Sequence, residues 1–102
     1  MNALFIIDGL PLEDRRAREA LRIAAGTGVW GKVRPTLCFT RANDPALGQA
    51  EDGELRRYIS LLRETAGGLF TRAPEEPDGI LHHTDEAGLA NLIGEADTVL
   101  RF

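Results

Sequence analysis

The stretch NALFIIDGLP, residues 2–11, decides the fold. Ala3, Leu4, Phe5, Ile6 and Ile7 are apolar without alternation, the pattern of a strand buried on both faces, and this places them in the centre of a sheet covered by helices. Asp8-Gly9-Leu10-Pro11 then turns the chain, with Pro11 expected at a first helical position, where a missing N–H leaves nothing unpaired. Beyond it Ala17, Ala20, Leu21 and Ala24 recur at helical spacing, with Arg15, Arg16, Arg18 and Glu19 mainly on the other side. Gly26 or Gly28 is expected to end this helix.

The same alternation repeats along the chain. Val33 and residues 36–40 (TLCFT) read as a second strand, closed by the polar turn Arg41-Ala42-Asn43-Asp44-Pro45. A stretch expected to be mobile runs from Ala46 to Gly53. A helix follows over about residues 52–66, with an apolar stripe of Leu55, Tyr58, Ile59 and Leu62, and Gly67-Gly68 ends it. Residues 69–71 form a weaker strand. Residues 72–79 form a loop, because two prolines and a glycine deny them regular hydrogen bonding. Thr84 is the expected cap of a third helix, with Asp85 and Glu86 in its first turn and Leu89, Leu92, Ile93 and Ala96 as its buried stripe. Residues 98–102 close the chain as a strand near a sheet edge, with Leu100 and Phe102 on one face and Val99 and Arg101 on the other.

Strands alternating with helices predict an α/β fold: a single-domain sandwich with a mostly parallel four- to five-stranded sheet (βαβαβαβ) and helices on its faces. At 102 residues the chain is read as one domain, residues 1–102. Apolar content of 43% beside 27% charged residues argues against disorder. The net charge of −4 argues against nucleic acid and anionic membranes as partners. With no run approaching the roughly 18 apolar residues of a membrane span, and no basic leader at the start, a cytoplasmic location is expected. A single cysteine, Cys38, makes no internal disulfide and cannot alone supply a zinc site. No cofactor or metal is implied.

The segments NALFIIDGLP, EALRIAAG, VRPTLCFT and above all EAGLANLIGEADTVLRF resemble the DsrE/DsrF-like family, including its YchN-type members. The similarity covers nearly the whole chain in order. It implies a small α/β sandwich with parallel strands, homo- or hetero-oligomers of related subunits and, in some members, sulfur transfer through a cysteine persulfide. The family's reactive cysteine lies in the loop after the third strand, and the corresponding stretch here, Leu69-Phe70-Thr71-Arg72-Ala73-Pro74, has none. Cys38 does not match that position. Between Leu37 and Phe39 in a central strand its thiol is expected to be buried and unreactive, since persulfide chemistry needs an accessible thiolate.

Parallel sheets bind ligands outside the carboxyl ends of their strands. The candidate ligand-binding residues are therefore Asp8 and Gly9 after the first strand, Arg41 and Asn43 after the second, and Arg72 after the third; Asp44 and the C-terminal carboxylate share the rim. Asp8 reads either as a base or as a turn-forming acid, and Arg41 and Arg72 either converge on an anion or are solvated. His82 and His83 are candidates to complete the rim, although neighbours in an extended segment point to opposite faces and cannot readily chelate one ion. Trp30 is expected to plug the bottom of the core, with a subunit contact as the other reading; Tyr58 carries the same ambiguity.

Three functions follow as expectations. The first is an oligomeric DsrE/DsrF-like binding or accessory subunit without the persulfide cysteine, linked to sulfur relay. The second is a small enzyme acting on a small anionic substrate at the rim, and the third is a sulfurtransferase working through Cys38.

Overall fold

The computed structural model describes residues 1–47 and 52–102. Five strands, β1 (Asn2–Ile7), β2 (Arg34–Phe39), β3 (Gly68–Thr71), β4 (His82–His83) and β5 (Thr98–Arg101), form one sheet of order β4-β3-β2-β1-β5. Every pairing is parallel. The unalternating apolar run thus lies in the sheet's interior, paired with β2 on one side and β5 on the other. Its register aligns Ile6 with Cys38 and with Arg101.

Helices α1 (Arg15–Trp30) and α2 (Gly53–Thr65) cover one face, where Phe5, Ile7, Leu37 and Phe39 meet Ala20, Leu21, Leu55 and Leu62 in the main core. Burying a side chain such as Leu62 stabilises the fold by about 1.5–3 kcal/mol relative to leaving it exposed. The alanines of α1, at positions 17, 20, 24 and 25, are all buried and let its backbone lie close to the sheet. Asp52 caps α2, accepting a hydrogen bond from the Leu55 N–H (3.0 Å), and also pairs with Arg18 of α1. Helix α3 (Glu86–Glu95) alone covers the opposite face, where Leu4, Ile6 and Cys38 are buried beneath Phe70, Leu89, Leu92 and Ala96.

Several expectations change. Helix α1 continues past Gly26 and Gly28, because Gly28 sits against Thr65 of α2 and packing there outweighs roughly 1 kcal/mol of poor helix propensity per glycine. It stops at Gly31, whose φ of 82° glycine adopts at no steric cost. Trp30 is therefore the last helical residue, 65% exposed, and plugs nothing. The helix begins at Arg15 under the cap Asp14, not at Pro11, which lies in the preceding turn. Asp85, one residue after Thr84, caps α3 by accepting from the Gly88 N–H (2.7 Å). None of the expected stripe of α3 is fully buried, and Ile93 is 43% exposed, because no second helix packs beside it. The short β4 adds an edge strand the sequence pattern did not mark, and β5 forms the other edge, as its alternation predicts. Of the stretch between Ala46 and Gly53, residues 48–51 lie outside the described residues.

Candidate functional site

The hydrogen-bond ladder runs one residue beyond each central strand, which fixes the rim. Asp8 N–H donates to Phe102 O (2.9 Å), Thr40 N–H to Ile7 O (3.0 Å), Arg72 N–H to Phe39 O (2.9 Å) and Thr84 N–H to Thr71 O (2.9 Å). Alternation along the strands then puts Asp8, Thr40, Arg72 and Arg101 on the face of Leu4, Ile6, Cys38 and Phe70, the face α3 covers.

Asp8 is the most heavily bonded of them. Its carboxylate accepts two hydrogen bonds from Arg101, Nε to Oδ2 at 2.9 Å and Nη2 to Oδ1 at 3.1 Å, and one from Thr40 Oγ1 at 3.0 Å. The Arg101 bonds hold its pKa below the ordinary carboxylate value; partial burial opposes them, and Thr40 and the charges of Arg101 and Arg41 add to them. The Nε of Arg41 donates to the Asp8 carbonyl (2.9 Å), so Asp8 and Arg41 meet through the backbone of Asp8. Gly9 is buried, and a Cβ there would collide with the side chain of Asp14, the cap of α1.

Arg72 differs. Its Nε is buried and has no hydrogen-bond partner among the described residues, and its guanidinium lies close enough to Cys38 to act on the thiol. Burial of Cys38, 0% exposed, pushes the thiol pKa up, and the positive charge of Arg72 only partly opposes this. A protonated, enclosed thiol is a poor nucleophile.

Asn43 lies half-buried in the connection after β2, beside Asp44, which does more. The Asp44 carboxylate, almost fully buried, accepts from Ile80 N–H (2.7 Å) and Leu81 N–H (3.4 Å) and so ties the 72–81 loop to the end of β2. His82 and His83 stand on β4, three strand positions from β1 and so roughly 15 Å from Asp8 at about 4.8 Å per strand. The structure does not bring them to the Asp8 cluster. His82 Nδ1 is 3.5 Å from Glu75 Oε1, and His83 Nδ1 is 2.9 Å from the Ala73 carbonyl. Among the described residues no three of His, Cys, Asp and Glu gather as metal ligands would. Reading the sequence missed Thr40 and Arg101. The alternation of Val99 and Arg101 was visible, but only the position of β5 beside β1 reveals the partner of Arg101.

With this geometry in hand, the comparison with solved structures is decisive for the architecture. The YchN protein from E. coli superposes with a TM-score of 0.72 over 100% of both chains, at 18% sequence identity. This chain has the YchN fold. That is the DsrE/DsrF-like architecture the sequence resembles, and at this identity the likeness speaks for the fold alone. No family model and no curated protein sequence matches the chain. Among the described residues no helix is long and apolar enough to cross a membrane.

Proposed function

We propose that the chain is an oligomeric binding or accessory subunit of DsrE/DsrF-like type, acting in the cytoplasm beside a sulfur relay without carrying sulfur itself, and that it holds a small anion at the carboxyl rim. The observation that carries this reading is the buried, unpartnered Nε of Arg72. A charged donor withdrawn from water without an acceptor costs about 1–3 kcal/mol or more, and an anionic ligand removes that cost. Arg41, after the neighbouring strand β2, adds positive charge to the same rim. The enclosed Cys38 speaks against direct sulfur transfer, and the apolar groups left exposed on α3 and on both faces of the edge strand β5, Ile93, Val99 and Leu100, support self-association.

Calorimetric titration with phosphate, sulfate and thiosulfate tests the ligand. Arg72→Ala should weaken binding roughly 10- to 100-fold, the equivalent of one charge-assisted contact, and should not lower the thermal midpoint of the ligand-free protein, because it removes a buried donor that has no acceptor. Equal affinity in the wild type and Arg72→Ala, or no binding of any of the three, would remove the rim site.

A further inference from the structure

The far end of the sheet, at the amino termini of the strands, holds an open cavity of about 280 Å³ on the face that α3 covers. Its floor is apolar: Leu4 from β1, Phe70 from β3, and Leu92 and Ala96 from the end of α3. Arg34 and Thr36 of β2 stand on one side and Glu95 of α3 on another. Thr36 and Thr40 are four residues apart on one strand, so this cavity lies roughly 13 Å from the rim and is independent of it.

Gly67 gives the cavity its chemistry. A Cβ at this position would lie 2.9 Å from Thr36 Oγ1 and 3.1 Å from Arg34 Nε. A hydroxyl and a guanidinium therefore pack side by side against Gly67, and both belong to the cavity lining. Neither group has a hydrogen-bond or ion-pair partner among the described residues. Two neighbouring donors, one of them a permanent cation, beside a hydrophobic floor match a carboxylate carrying a short apolar body. The carboxylate of Glu95 in the same lining disfavours a second negative charge on the same molecule. The volume, just below the roughly 300–1,000 Å³ usual for ligand sites, suits a small molecule.

We propose that this cavity binds a small aliphatic monocarboxylate, with the carboxylate on Arg34 and Thr36 and the hydrocarbon on Leu4, Phe70, Leu92 and Ala96. A nitrogen-15 chemical-shift titration with butyrate, isovalerate and isocaproate, set against isocaproamide and glutarate, tests it. The acids should give saturable shifts at the amides of Thr36, Gly67 and Leu92, with the neutral amide and the dicarboxylate at least roughly tenfold weaker, the loss of about one charged hydrogen bond. Gly67→Ala should weaken the shifts by displacing the Thr36 hydroxyl and the Arg34 guanidinium, which an added Cβ would crowd; Gly67 has no left-handed φ, so the substitution does not strain the backbone there. Arg34→Met, at an exposed position, should weaken binding roughly 10- to 100-fold and leave remote amides in place. The proposal is overturned if isocaproamide binds as well as isocaproate, if Arg34→Met binds like the wild type, or if the acids shift only the amides of Thr40 and Arg72 or none at all.

Discussion

Asp8 shows how a residue that reads as a base becomes a clasp. A carboxylate bonded by a bidentate arginine and a hydroxyl has its charge stabilised, and taking up a proton would break those bonds. Because folding lowers its pKa, the clasp contributes stability fully above the ordinary value of 3.8 and loses it as pH falls through the folded value below that. The contribution is small, about 0–1 kcal/mol, since the Asp8 side chain is 44% exposed and that of Arg101 67%. Urea midpoints of the wild type and Asp8→Asn should therefore differ at neutral pH and converge in acid. A gap that stays constant down to about pH 2 would mean the charge of Asp8 does not stabilise the fold. That Asp8 follows a buried strand was legible in the sequence. Its partner was not, because Arg101 lies 93 residues away and only the placement of β5 beside β1 joins them.

At the scale of elements, the strands were legible where burial on both faces forces unbroken apolar runs, as in β1, or β-branched and aromatic residues, as in β2. Boundaries set by contact between elements were not. Gly28 looks like a stop until Thr65 of α2 is found against it, and Thr84 looks like a cap until the helix is seen to start one residue later. Residues 72–79 were legible as a loop, but the anchor just beyond them was not. Asp44, read as part of a turn on the rim, bonds two amides at the other end of that loop. Asp44→Ala leaves those amides without their acceptor and should destabilise the protein by about 1–3 kcal/mol in chemical denaturation. It should also speed proteolysis within residues 72–81 more than elsewhere. Unchanged stability and unchanged cleavage would show that other contacts hold the loop.

The whole molecule is asymmetric: two helices seal one face of the sheet and one helix half-covers the other. At the β5 edge Val99, on the open side, is 42% exposed and Leu100, on the other face, 39%, and Ile93 of α3 is 43% exposed. An unpaired parallel edge flanked by apolar side chains invites a second strand. Light scattering should accordingly give a mass above the 11.1 kDa of one chain, and Leu100→Glu should move it toward that of the monomer. A wild-type protein that remains monomeric at micromolar concentration would contradict this assembly. The same asymmetry isolates Cys38, the chain's only cysteine, under α3 in the middle of the sheet. The claim that the protein does not carry sulfur rests on that position. Intact mass spectrometry of the native protein, after incubation with a persulfide donor and desalting, tests it most directly. The account predicts the unmodified mass, with the thiol becoming reactive only on denaturation; a stable native species heavier by one sulfur atom, lost in Cys38→Ala, would contradict it.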